Sequence, residues 1–320
     1  MFEVGVIAAA AILLGLLAAH KEFNLLKRFG LIAGGVLIFE LFTRPLWNNH
    51  NMSDWAYLYI DVSWILTLGW SLILFLSLLI VERGFGIKKQ LPQFLLTIVL
   101  STIAGLIGEQ IVLALGIRTF SPEVQEVLSG IALPFTQVPI ETLYYMPVFM
   151  TLVVSFAKYF EIVFNKIPLV PQRKIVNWKS ILIAFIGVFL FEVMNEPAIR
   201  NVGWPAWSYI FQDVNILRIA IWVLVLAIGG HIVHRIFVHL KPIAQFIISI
   251  VLLTILTIPI EGYLVVQGMR QYGPSLQAGY SGFHIPGTQL PIEIMFAIPL
   301  YLALIIAFVR YWSSVWENDL

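Results

Sequence analysis

The chain has 320 residues, of which 60% are hydrophobic and only 12% charged, with a mean hydropathy of +0.91 and a formal net charge of +1. That balance lies far outside the range of soluble globular domains and leaves no basic surface for a nucleic-acid partner. Cysteine is absent, which excludes disulfides, cysteine-ligated metals and thiol nucleophiles together.

Apolar runs long enough to cross ~30 Å of hydrocarbon lie near 2–19, 29–44, 60–81, 92–115, 138–163, 179–195, 214–237, 243–266 and 290–313. Backbone in lipid must satisfy its own hydrogen bonds, so these nine runs are predicted as helices. The first begins with Glu3 and no basic residue, the reverse of a secretory signal, and is expected to be a retained helix. The second and sixth stop at Arg44-Pro45 and Glu196-Pro197, where proline ends a helix. Lys21, Lys27, Arg28, Arg83, Lys88, Lys89, Lys166, Arg173, Lys174, Lys179, Arg235 and Lys241 all fall in the odd-numbered connections. The others hold only Arg44, Arg118, Arg200 and Arg270. Cytoplasmic loops collect lysine and arginine, so the expected topology has an outside N-terminus and a cytoplasmic C-terminus, in a cell inner membrane. The outward connections are longer and more aromatic, and chemistry is expected on that side.

The chain repeats itself. Phe39-Glu40 and Pro45 recur as Phe191-Glu192 and Pro197, and Trp55, Tyr57 and Asp61-Val62 recur as Trp207, Tyr209 and Asp213-Val214. Further along, Glu109, Gly116, Arg118 and Pro122 return as Glu261, Gly268, Arg270 and Pro274. Ser129-Gly130, Thr136-Gln137 and Pro139-Ile140-Glu141 return as Ser281-Gly282, Thr288-Gln289 and Pro291-Ile292-Glu293. Every pair is 152 apart (293 − 141) without a gap. The expected fold is all-α and polytopic: an N-terminal transmembrane helix and loop (1–28), then two four-helix repeats (29–166 and 167–320). Four spans per copy make the copies parallel.

Four carboxylates recur: Glu40/Glu192, Asp61/Asp213, Glu109/Glu261 and Glu141/Glu293. In the deduced topology they form one layer in the outward half of the bilayer. An ionised carboxylate in lipid costs several kcal/mol, so such acids face a cavity, a partner or a proton path. Structural roles compete. Asp61 and Asp213 suit helix N-caps, Glu141 and Glu293 suit a helix first turn, and Arg118 and Arg270 suit neutralisation of Glu109 and Glu261 nine residues earlier. Glu40 and Glu192 have no capping role, nor do Glu109 and Glu261, and these four point most directly to a functional cavity. His231, His234 and His239 lack repeat partners and read as solvated residues. No metal and no cofactor is expected.

From Pro259-Ile260-Glu261-Gly262-Tyr263-Leu264-Val265, through Gly268 and Tyr272-Gly273-Pro274, to Pro291-Ile292-Glu293, the chain resembles the integral-membrane lycopene cyclases. Their archaeal, fungal and heterodimeric bacterial forms share a Pro-x-Asp-x-Tyr-Leu helix, a Tyr-Gly-Pro turn and a Pro-(Val/Leu)-Glu-Glu motif. The first repeat matches through Glu109, Gly116, Ser121-Pro122, Gly130 and Pro139-Ile140-Glu141. The family's second glutamate is replaced by Thr142 and Ile294, and its first acid is Glu109 and Glu261 in place of Asp. The resemblance implies a distant relative that performs proton-initiated, non-redox cyclisation or isomerisation of a long polyene. Glu109, Glu261, Glu141 and Glu293 would be its acid/base groups. Glu40, Glu192, Asp61, Asp213, Arg118, Arg270, Trp55, Trp207, Tyr57, Tyr209, Gln137 and Gln289 would line the substrate site.

Aromatic faces would stabilise a carbocation, by ~0.5–2 kcal/mol each. The expected partners are the lipid bilayer and a carotenoid or isoprenoid substrate, with a homo-oligomer or larger membrane complex as the assembly. Two readings from other classes stand beside this one. A proton- or cation-coupled transporter also uses parallel repeats and intramembrane acids, and a non-catalytic subunit of a membrane complex fits the composition.

Overall fold

The computed structural model describes residues 1–87, 89–165 and 178–318. Lys88, Lys166, Arg173, Lys174 and the expected repeat boundary at 166/167 lie outside the described residues. The chain forms two compact units, the first Met1–Glu161 and the second beginning at Ile162.

Unit 1 opens with α1 (Phe2–Ala19) and α2 (Phe23–Thr43), followed by the short strands β1 (Trp47–Asn49), β2 (Tyr57–Tyr59) and β3 (Val62–Ser63). Next come α3 (Trp64–Leu79), which runs on into a π turn at Ile80–Gly84, α4 (Gln90–Ala114), β4 (Arg118–Phe120), the short α5 (Pro122–Val127) and α6 (Thr142–Phe164). α2 packs on α3 and α3 on α4, with α1 laid against α2 and α3. α6 meets α2 and α4 through small-on-large contacts: Gly35 sits under Phe156 and Val153, and Gly105 under Met146 and Met150.

Unit 2 holds α7 (Trp178–Asn195), β5 (Ile199–Asn201), β6 (Tyr209–Phe211), β7 (Val214–Asn215) and α8 (Ile216–Phe237). α9 (Pro242–Val266), β8 (Arg270–Tyr272), the one-turn α10 (Pro274–Gln277) and α11 (Ile292–Asn318) complete it. Here α7, α8, α9 and α11 close a ring, each packed on the next.

Eight helices among the described residues are long and apolar enough to cross a membrane, which marks a membrane protein. The long helix outside that set is α2, which carries Lys27, Arg28 and Glu40. It starts six residues earlier than expected (29 − 23), because Arg28 has partners inside the unit. The Arg28 guanidinium pairs with Glu82 on the π turn and Glu161 on α6, and Lys158 joins Glu82. An ion so paired can sit within a helix bundle.

The expectation of an all-helical chain needs correction at the loops. β1 pairs antiparallel with β4 and β5 with β8, with Asn49 opposite Arg118 and Asn201 opposite Arg270. β2–β3 and β6–β7 form small hairpins. The third predicted span therefore starts at Trp64 rather than 60, because its first residues belong to the hairpin. The strands and their registers in unit 2 follow those of unit 1 at the 152 offset (201 − 49, 270 − 118).

Packing at one shared position decides how near helices approach. A Cβ at Gly35 would lie 3.1 Å from the Phe156 ring, and at Gly187 2.9 Å from the Phe308 ring, whereas Gly34 faces open space. Adding bulk under a buried ring typically costs about 1–3 kcal/mol. Gly187→Val should therefore lower the thermal unfolding midpoint in detergent, and Gly34→Ala should leave it unchanged. Equal midpoints for the two variants would contradict this packing.

Candidate functional site

The buried stripe of α2 runs Phe29, Ile32, Val36, Phe39, Glu40 and Thr43, and that of α4 runs Phe94, Thr97, Ile98, Ser101, Gly105, Glu109 and Val112. Helical spacing alone therefore turns Glu40 and Glu109 inward with their apolar neighbours. The same holds for Glu192 after Val188 and Phe191 on α7, and for Glu261 after Leu253 and Thr257 on α9.

A chain reversal brings the counter-charge. α4 ends with Gly116 at φ +65° and α9 with Gly268 at φ +70°. In each, two backbone bonds close a Schellman turn: Ile117 N–H to Val112 C=O and Gly116 N–H to Leu113 C=O, then Met269 N–H to Leu264 C=O and Gly268 N–H to Val265 C=O. Glycine suits this left-handed position. The chain doubles back into β4 or β8, and the first strand residue is the arginine. Arg118 Nη1 then donates to Glu109 Oε2 at 2.9 Å, and Arg270 Nε to Glu261 Oε1 at 2.8 Å.

In unit 1 the Arg118 guanidinium also donates through Nε to Asn49 Oδ1 at 3.0 Å, and Asn49 Nδ2 donates to the Asp61 carbonyl at 3.0 Å. Arg118 lies 4.9 Å from the Trp47 ring centre and 5.7 Å from that of Trp70. Phe39 stacks on Trp47 and meets Phe149, which takes Trp70 edge-on. Glu40, on the same stripe as Phe39, contacts Thr67 on α3. Two carboxylates, one guanidinium and four aromatic rings thus share one buried region.

Unit 2 builds the cluster with a second arginine. Arg218 on α8 lies 3.6 Å from both Glu192 and Glu261, and Arg270 lies 3.9 Å from Glu192. Asn201 Oδ1 accepts from both arginines, and Tyr272 Oη donates to Glu261 at 3.0 Å.

The remaining predicted residues fall elsewhere. Asp61 and Asp213 are not helix caps: Ser63 and Asn215 are, each accepting two backbone N–H bonds. Asp61 instead takes Arg44 Nε at 2.9 Å. Glu141 accepts the Ser129 N–H at 2.7 Å and Glu293 the Ser281 N–H at 2.6 Å, so each clamps the loop ahead of its own helix. Burial pushes the Glu141 carboxyl up, but the Ser129 bonds outweigh it and hold the group below its ordinary range. Trp55 and Trp207 are exposed, as are Gln137 and Gln289. Tyr57 and Tyr209 accept loop N–H bonds from Met52 and Trp204. These six lie outside the buried clusters; amphipathic rings such as the tryptophans suit a membrane interface.

Sequence reasoning missed Asn49/Asn201 and Trp70/Trp222, although both recur at the offset (201 − 49, 222 − 70). Trp47, Phe149, Thr67 and Arg218 carry no such signal. Among the described residues, no three His, Asp or Glu side chains gather as a metal site. No family model, curated protein or solved structure matches the chain.

Two tests follow from this geometry. Removing one partner of a buried ion pair costs about 3–5 kcal/mol, because the other charge is left uncompensated. Arg118→Met should destabilise unit 1 by that order in detergent unfolding, and Arg118→Met with Glu109→Leu should recover most of the loss. An additive double variant would refute a paired role.

The second concerns position 196, where unit 2 has Glu196 in place of Arg44 (196 − 152). Burial first, with the nearby Asp213 charge adding, raises the Glu196 carboxyl to about 7 against the opposing Asp213 backbone bond and Arg200. A raised carboxyl binds its proton more tightly when folded, so its contribution is present at low pH and is lost as pH climbs from about 4.5 through about 7. Amide exchange in β5–β7, corrected for intrinsic rate, should accelerate over that window, and Glu196→Gln should flatten it. Identical profiles for wild type and variant would contradict the assignment.

Proposed function

We propose that the chain spans a membrane nine times, as α1 followed by two parallel four-helix repeats, with the N-terminus outside and the C-terminus cytoplasmic in a cell inner membrane. We further propose that it catalyses a non-redox, proton-initiated cyclisation or isomerisation of a long apolar polyene of the isoprenoid or carotenoid class. One observation carries this reading: in unit 1, two buried carboxylates and a guanidinium lie among Phe39, Trp47, Trp70 and Phe149.

The chemistry needs few groups. A proton adds to a terminal alkene, the C=C electron pair forms the new C–H bond, and a tertiary cation remains. In cyclisation a neighbouring double bond attacks that cation, and loss of a proton from an adjacent carbon restores an alkene, with no net oxidation. Glu109 is tied to Arg118 and supplies fixed negative charge rather than a proton. Glu40 has no arginine within ion-pair distance among the described residues and is the better donor. Aromatic faces attract the cation, and the apolar surroundings keep water from quenching it.

Co-expression with an acyclic carotenoid pathway, followed by pigment analysis, tests the reading. Wild type should convert the acyclic pigment. Glu40→Gln should insert and fold yet lose about 10²–10⁴-fold of turnover. No conversion by wild type, with proton-dependent flux in liposomes, would assign the transporter reading instead.

A further inference from the structure

The two clusters use equivalent carboxylates but unequal positive charge. In unit 2, Glu192 and Glu261 meet two guanidinium groups, Arg218 and Arg270. In unit 1, Glu109 pairs with Arg118, no guanidinium lies within ion-pair distance of Glu40 among the described residues, and the position equivalent to Arg218 is Leu66 (218 − 152). Arg118 directs Nε to Asn49 and Nη1 to Glu109, and none of its donors reaches Glu40 within hydrogen-bond distance among the described residues. If every acid is ionised, the unit 2 cluster is neutral (two acids, two guanidinium groups) and the unit 1 cluster holds one uncompensated negative charge (two acids, one guanidinium) in a region of low dielectric. Such a charge is strongly disfavoured.

The hydrogen-bond pattern points to the same group. Glu40 is only 4% exposed, and its Oε1 has no hydrogen-bond partner among the described residues. Its Oε2 contacts Thr67 Oγ1, which also lies 3.0 Å from the Ser63 carbonyl oxygen. A hydroxyl has one proton to give. If Thr67 gives it to Ser63, the hydrogen between Thr67 and Glu40 must come from the carboxyl. The position equivalent to Thr67 in unit 2 is Ile219 (67 + 152), which offers Glu192 no such partner.

Around Glu40, α3 contributes Thr67, β4 contributes Arg118 and, through it, α4 contributes Glu109. The nearby Asp61 is answered by Arg44. A metal cation would require several oxygen ligands, and Thr67 is the polar side chain bonded to Glu40 among the described residues.

We propose that Glu40 is a proton-binding site, a carboxylic acid at neutral pH donating to Thr67, while Glu192 stays ionised against Arg218 and Arg270. Unit 1 carries an exchangeable proton, and unit 2 a fixed lattice of ion pairs. The assignment goes beyond the cyclase reading and does not rest on it, because a proton bound here can be delivered to an alkene or carried across a membrane.

Infrared spectra of the purified full-length protein in lipid nanodiscs at neutral pH decide the matter without any substrate. Wild type minus Glu40→Gln should show the carbonyl stretch of a protonated carboxyl, shifted in D₂O; wild type minus Glu192→Gln should not. Leu66→Arg, which copies the unit 2 arrangement, should abolish the Glu40 signal. Arg218→Leu should create a second signal that Glu192→Gln removes, and this arm stands even if Leu66→Arg fails to insert. A spectrum indifferent to Glu40→Gln, or an Arg218→Leu spectrum identical to wild type, would overturn the proposal. So would sodium-dependent thermal stabilisation that Glu40→Gln abolishes in place of the carboxyl signal. Failure of pigment conversion alone would leave it standing.

Discussion

Everything else in each unit is arranged around a guanidinium buried between a carboxylate and an asparagine. Arg118 joins the inner face of α4, through Glu109, to β1, through Asn49, and Asn49 in turn holds the backbone at Asp61. Arg270 and Asn201 do the same in unit 2. A buried arginine is tolerated when its charge is answered by a carboxylate and most of its donors find acceptors. The turn at Gly116, the β1–β4 pairing and the hairpin at β2–β3 are then mutually dependent: displacing any one strands a charge. The loops at this end of each unit are accordingly held by specific partners, not left to solvent.

Upon that common frame the units diverge in charge and in rings. Unit 1 flanks Arg118, the one arginine of its cluster, with Trp47 and Trp70 and keeps Phe39 against Phe149. In unit 2, Trp47 gives way to Ile199 and Phe149 to Tyr301 (47 + 152, 149 + 152), and Arg218 enters beside Trp222. The exchange of Leu66-Thr67 for Arg218-Ile219 moves one positive charge in and one hydroxyl out. A duplicated frame can in this way hold two electrostatic states. The unit 1 cluster has two carboxylates to one guanidinium, and the unit 2 cluster has two to two.

The same divergence appears in the hairpin loops. Arg44 pairs with Asp61 in unit 1, whereas Glu196 faces Asp213 in unit 2. Ile60 and Gln212, equivalent residues between paired strands, both adopt positive φ. That backbone form is costly for a β-branched side chain. Both units keep this tight hairpin, and in both the carbonyl that follows it, at Asp61 or Asp213, accepts from Asn49 or Asn201.

The sequence by itself determined where the helices run, because lipid requires about twenty apolar residues whose backbone satisfies itself. It also determined the 152 offset and offered Arg118 and Arg270 as one set of partners for Glu109 and Glu261; the glycine turn that returns each arginine to its glutamate is seen only in the structure. Only the tertiary structure decided the strands: a three-residue pairing has no periodicity, and what lies opposite it is contributed by residues 69 positions away. It decided that Ser63 and Asn215, not the aspartates, cap α3 and α8, and that Glu141 and Glu293 grip Ser129 and Ser281. It separated Trp55 and Trp207, which are exposed, from Trp47 and Trp70, which flank Arg118. It also placed Arg218 in the unit 2 cluster. Apolar length is a one-dimensional property that can be read along a chain. The partner of a buried charge depends on which helix stands opposite, and that is settled only when the helices have packed.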